Sequence, residues 1–173
     1  MGRCKRHLSR SEARIDRPPV GSKQFSLLRL VEMKEYVKVL VTDDEAVMRN
    51  LLLRILETEG YQVAVASDAK ETLEKLAIEK FDLLLSDVKI PGMNGIELLR
   101  EVKFKYPDMA VIMMTGYGEA FTVKEALMNG ADEYITKPFK RHEISLIIER
   151  AYWRLLATRN SETQKVEILI EDD

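Results

Sequence analysis

At 173 residues, with 46% hydrophobic and 32% charged side chains, the chain has the size and balance of one ordinary globular domain. Its net charge of −2 offers no global field for nucleic acid or an anionic membrane, and no apolar run reaches the roughly 20 residues of a membrane helix. The single cysteine, Cys4, excludes an intrachain disulfide, and with only His7 and His142 beside it there is no four-ligand zinc cage; the expected compartment is a reducing cytosol.

Residues 1–33 read as a basic N-terminal extension, predicted to be disordered. Arg3, Lys5, Arg6, Arg10, Arg14, Arg17, Lys23 and Arg29 outnumber Glu12, Asp16 and Glu32, a Pro18-Pro19 pair interrupts them, and no periodicity is sustained. The stretch lacks the apolar core and cleavage site of a secretory signal. It also lacks the interleaved aromatics of a nucleic-acid stacking surface. Regular sequence starts just after Met33, which makes Met33 an alternative natural start.

Val37 to Val41 is a β-branched apolar run and predicts a first strand. Val47, Leu51, Leu52, Ile55 and Leu56 then form a helical stripe, closed by Gly60. Tyr61 to Ala66 predicts a second strand. Asp68 followed by Glu71 has the spacing of a capping box, ahead of a helix with Ala69, Leu73, Leu76 and Ala77 on its apolar face. Phe81 to Ser86 predicts a third strand, and Pro91-Gly92 a turn. Ile96, Leu99, Val102 and Tyr106 mark a third helix that ends at Pro107. Ala110 to Met114 predicts a fourth strand, about Ala120 to Asn129 a fourth helix, and Glu133 to Thr136 a short fifth strand. A last helix starts near Arg141 with Ile144, Ile147, Ile148, Ala151 and Leu155 on one face.

Strands that are apolar throughout are buried on both faces, and strict alternation with helices implies right-handed crossovers. The predicted fold is α/β, flavodoxin-like and doubly wound, (βα)5 with a five-stranded parallel sheet in the order 2-1-3-4-5. The packed domain is expected over residues 34–158. An acidic tail, 159–173, follows, without room for an output domain. In it Val166, Ile168 and Ile170 alternate with Glu167, Leu169 and Glu171, which suggests a short strand able to add to a partner's sheet edge, or a frayed terminus.

The polar residues that end the strands carry the chemistry. Strand one ends in Asp43-Asp44, strand three in Asp87, strand four in Thr115 and strand five in Lys137. Ligands of open α/β sheets sit outside the carboxyl ends of the strands, where the order reverses, and here strands one and three meet at that reversal. Three carboxylates in one crevice repel by about 4 kcal/mol per pair at 4 Å in a near-surface dielectric. They must protonate or bind a cation, and oxygen-only ligands suit Mg2+. Lys137 and the Thr115 hydroxyl would complete an anion site around a nucleophilic carboxylate. Taken singly, the acids could serve as helix-capping groups, Thr115 could cap a strand end, and Lys137 could be a solvated lysine. Their joint placement at four strand ends argues against that.

The segments VLVTDDE, FDLLLSDVKIPGMNGIELL, VIMMTGYGEA and GADEYITKPF, spread over about Lys38 to Leu156, resemble the receiver domain of two-component response regulators. Among these the chain looks most like receivers of nitrogen-regulation-type activators. The resemblance implies that Asp87 is the phosphoacceptor. It implies Mg2+ held by Asp43, Asp44, Asp87 and the backbone carbonyl of Lys89. It gives Lys137 to a phosphoryl oxygen, makes Thr115 the switch hydroxyl and Tyr134 the ring that swings inward, and has Gly116 leave room for the phosphoryl group. It also implies a cis Lys137-Pro138 bond.

The expected partners are a sensor histidine kinase or phosphotransfer protein and a downstream protein target. They would be reached through helix four, strand five and helix five, without nucleic acid or membrane, and a phosphorylation-dependent homodimer is compatible with this. The protein is not expected to be an enzyme beyond its own phosphorylation and dephosphorylation. Two alternatives stay open: a binding module of this fold that is never phosphorylated, and a flavin or phosphatase enzyme. The second lacks a Gly-rich phosphate loop, and Lys89 occupies the position of a phosphatase's second Asp.

Overall fold

The structure, a computed structural model, describes residues 36–116 and 120–171, with side chains over 36–116 and 123–159. The N-terminal extension lies outside the described residues. Among the described residues, five strands alternate with five helices: β1 (Lys38–Thr42), α1 (Ala46–Thr58), β2 (Gln62–Ala66), α2 (Ala69–Ile78), β3 (Leu83–Asp87), α3 (Gly95–Lys105), β4 (Ala110–Thr115), α4 (Ala120–Met128), β5 (Glu133–Thr136) and α5 (Arg141–Glu171). The sheet is parallel throughout, in the order β2-β1-β3-β4-β5. The predicted fold is therefore the observed one.

β3 and β4 are buried along their whole length, which is why they read as unbroken apolar runs. Alternate side chains feed two cores. Val39, Val41, Leu83, Leu85, Ile112 and Met114 pack with α1 and α5, while Leu40, Leu84, Val111 and Met113 pack with α2, α3 and α4. Each buried Leu, Ile or Met contributes about 1.5–3 kcal/mol relative to exposure. No described helix is long and apolar enough to cross a membrane.

The α1 stripe sits differently from the sequence expectation. Leu52, Ile55 and Leu56 are buried with Met48 against them, but Val47 is 80% and Leu51 47% exposed. At about 100° per residue the core face centres between Met48 and Leu56, and Val47 falls outside it. The helix carries more apolar residues than one face holds, so apolarity alone could not mark the buried side. Leu52→Ala should cost about 2–5 kcal/mol in denaturant unfolding, and Leu51→Ala no more than about 0.5 kcal/mol. Equal costs would contradict this assignment of faces. In α2, Thr72 is buried and Ala77 is exposed, again a shift of the expected face. The capping role of Asp68 is present: its Oδ1 accepts from the Glu71 amide at 2.8 Å, and Glu71 Oε2 accepts from the Ser67 amide at 2.7 Å.

The expected strand at Val166–Glu171 is a correction. α5 continues without interruption across 158/159 to Glu171. From Arg141 to Glu171 there is no Gly or Pro to stop it, and Glu, Gln, Lys and Leu are good helix formers. The two-residue alternation of Val166, Ile168 and Ile170 is too short to override them. Arg159 fixes the helix to the base of the sheet, donating to Asp82 Oδ1 at 3.1 Å and the Asp108 carbonyl at 2.8 Å.

Candidate functional site

Register brings the acids together. Thr42 is level with Ser86, so the next residues, Asp43 and Asp87, emerge side by side. Thr115 is level with Thr136, which places Lys137 just beyond that rim. Asp43, Asp44 and Asp87 each offer a carboxylate oxygen within 4.8 Å of the others. Asp43 and Asp87 are buried and Asp44 is exposed.

Lys137 lies between the two buried acids. Its Nζ donates to Asp43 Oδ2 at 2.7 Å and to Asp87 Oδ2 at 2.6 Å. Its side chain is only 16% exposed, so it is not a solvated surface lysine. Burial works against the ammonium, but the hydrogen bonds it donates to Asp43 and Asp87 outweigh this and hold the pKa above the ordinary lysine value. The peptide bond that follows, Lys137-Pro138, is cis.

The acids are not helix caps. Glu45 is the N-cap of α1 and makes no side-chain cap bond. Asp43 Oδ1 instead accepts from the Glu45 amide at 2.9 Å, a short Asx turn that turns the chain away from β1. Asp87 Oδ1 accepts from the Lys89 amide at 3.3 Å. Thr115 is fully buried, and its Oγ1 has no hydrogen-bond partner among the described residues. A cap of the strand end is thus not what this hydroxyl does. Tyr134 is 38% exposed, on the outward-facing side of β5, and His142 is exposed.

Two contributors escaped the sequence reading. A Cβ on Gly95 would lie 2.6 Å from the Asp87 carbonyl oxygen and 2.7 Å from Val88 Cα, and the Gly95 amide donates to the Val88 carbonyl at 2.9 Å. Only glycine lets α3 begin so close to the end of β3. The signal was available: a glycine directly after the N-cap Asn94, where most residues would favour the helix more. The other is Arg49, whose Nη1 donates to the carbonyls of Asp43 and Asp44. Nothing in the sequence distinguishes it from a surface arginine.

The donor set is all oxygen and compact, and it keeps one exposed carboxylate where waters can complete a shell. These residues fit Mg2+. The unpartnered Thr115 hydroxyl and the Lys137 ammonium fit an anion beside it.

A doubly wound 2-1-3-4-5 sheet with an acid cluster and a lysine at its switch point defines a receiver-type signalling module. The profile of the response regulator receiver domain matches residues 39–149, and the chain belongs to that family of two-component systems. It is 38% identical over 133 residues to the transcriptional regulatory protein ZraR of Klebsiella oxytoca, covering 77% of this chain and 29% of that protein. It is 40% identical over 107 residues to sporulation initiation phosphotransferase F of Bacillus subtilis, covering 62% and 86%. Among solved structures, a CheY-like receiver domain protein of Methanospirillum hungatei JF-1 is 35% identical with a TM-score of 0.67, covering 70% of this chain and 98% of that one. The chain spans under a third of ZraR and of the Escherichia coli regulator NtrC, which is 37% identical over 113 residues. The resemblance to nitrogen-regulation-type activators rests on these relatives.

Proposed function

We propose that this receiver accepts a phosphoryl group on Asp87 from the phosphohistidine of a sensor histidine kinase or phosphotransfer protein. The observation that carries this is the direct contact of the Lys137 ammonium with the buried Asp87 carboxylate, beside two further acids. One Asp87 oxygen attacks phosphorus in line. The N–P bond breaks, the imidazole nitrogen keeps the electron pair, and an acyl phosphate forms. Lys137 follows the charge from the carboxylate to a phosphoryl oxygen without leaving its position. Asp43, Asp44, Asp87 and the Lys89 carbonyl would hold Mg2+, which when bound would supply further neutralisation of charge on those oxygens. The chain catalyses only its own phosphorylation and dephosphorylation.

After transfer the Thr115 hydroxyl donates to a phosphoryl oxygen, the bond it lacks at rest. Gly116 leaves space for the group. Tyr134 moves inward from its half-exposed position, and the face of α4, β5 and α5 changes its protein contacts, to a downstream target or a second copy. The protein acts in the cytoplasm, without direct contact to nucleic acid or membrane. The likeness to a sporulation phosphotransferase supports a relay role. The domain that does this is 34–158, with the basic segment 1–33 and the acidic segment 159–173 peripheral to the chemistry.

The test is incubation with Mg2+ and acetyl phosphate, read by intact-protein mass spectrometry. A base-labile phosphoryl adduct should form, vanish with EDTA and be absent in Asp87→Ala. No adduct on the wild type favours a pure binding module, and steady turnover of unrelated phosphate esters favours an enzyme; either overturns the reading.

A further inference from the structure

We infer that Arg49 is a positioning residue for the divalent-cation site, acting through the backbone that carries its ligands. This rests on the metal reading above and names a residue which that reading does not use. Arg49 lies in the first turn of α1, where the helix dipole disfavours a cation, and no acidic side chain occupies that turn to offset it. Something else must hold it there. Its Nη1 donates to the Asp43 carbonyl at 2.6 Å and to the Asp44 carbonyl at 2.8 Å. These short, charge-assisted bonds grip consecutive carbonyls with one nitrogen.

The two acids differ in how they are held. The Asp43 carboxylate is fixed independently, by Lys137 on one oxygen and the Glu45 amide on the other. The exposed Asp44 carboxylate makes no hydrogen bond among the described residues, so its aim depends on the backbone beneath it. Arg49 fixes that backbone at the Asp43 and Asp44 carbonyls. Its positive charge, seated on the carbonyls of the loop that carries Asp43 and Asp44, also lowers the cost of gathering three carboxylates. The arrangement parallels the outer hydrogen bonds that orient metal ligands in other sites.

Calorimetric titration of the full chain with Mg2+, with no phosphoryl donor present, tests this. Arg49→Ala should raise the Mg2+ Kd about 10-fold or more, and Arg49→Lys should recover part of the loss, since one ammonium can reach both carbonyls. With acetyl phosphate, the Mg2+ concentration for half-maximal labelling should rise in Arg49→Ala, while the rate at saturating Mg2+ returns close to wild type. A purely structural role would instead lower the melting temperature in EDTA and leave the Mg2+ Kd within twofold of wild type, which overturns the inference. Should the alanine variant not fold, Arg49→Met keeps the stem without the donor and is judged by the same Kd. Because binding is read without transfer, failure of Asp87 to accept phosphate leaves this result interpretable. A wild type that binds no Mg2+ overturns both.

Discussion

Lys137→Met should slow labelling of Asp87 by about 10²–10³-fold at saturating Mg2+, the loss seen when one preorganised electrostatic donor is removed from a transition state. The side chain touches the reacting carboxylate directly, at 2.6 Å, so the loss should fall on the maximal rate rather than on donor binding. The same change should destabilise the resting fold. Asp43 is fully buried, and without the ammonium its Oδ2 loses its 2.7 Å partner. Breaking a buried pair costs about 3–5 kcal/mol, and the slight exposure of Asp87 and Lys137 places this case near 3 kcal/mol. Mg2+ should restore part of that stability, since a divalent cation can take over the lost neutralisation. A variant with wild-type rate and wild-type unfolding would contradict the site as drawn.

The pH dependence follows from the same pair. Lys137 has a folded-state pKa above its unfolded value, so its contribution is fully present below the unfolded pKa of about 10.4 and is lost as pH rises through the higher folded value. Tyr61 adds to this. Its burial, followed by the charges of Glu149 and Glu59, raises its pKa, so the neutral phenol stabilises the fold below about pH 10 and that contribution fades above it. Alkaline unfolding should therefore be shallower in Lys137→Met than in the wild type.

Thr115→Val has an expected effect of opposite sign. A buried hydroxyl without a partner costs about 1–3 kcal/mol of desolvation, and valine keeps the branched shape without that group. The unphosphorylated variant should be more stable than wild type by about 1 kcal/mol or more in thermal or denaturant unfolding. Asp87 should still be labelled, because Thr115 does not touch it before transfer, but the accompanying change around Tyr134 should be lost. NMR of the Tyr134 ring with and without Mg2+ and acetyl phosphate reads this. A destabilised Thr115→Val, or one whose ring responds like wild type, would show that the hydroxyl is satisfied at rest or is not the switch.

Most of the fold could be read from the chain because its central strands have one environment on both faces. Leu83-Leu84-Leu85 and Val111-Ile112-Met113-Met114 admit no amphipathic reading, and each strand closes on a polar residue at the rim, Asp87 and Thr115. The candidate site was readable for a related reason: Asp43, Asp87, Thr115 and Lys137 all sit at or just past the carboxyl ends of strands. What stayed hidden depends on contacts between segments remote in sequence. α1 has apolar residues beyond its buried face, so Val47 and Leu51 could not be told from Leu52 without knowing where β2 and α5 lie. The grip of Arg49 is on backbone carbonyls, which have no residue type to recognise. The C-terminal segment carried a two-residue rhythm and a helical composition at once, and the helix already under way from Arg141 decided between them, because propagation is cheaper than a new start.

We propose Asp87 as the acid that takes the phosphoryl group. Borohydride reduces an acyl phosphate to an alcohol, so a phosphorylated aspartate becomes homoserine. Wild-type protein treated with acetyl phosphate and Mg2+, reduced and mapped by tandem mass spectrometry, should carry homoserine at position 87 alone. Homoserine at 43 or 44 with none at 87 would contradict the account.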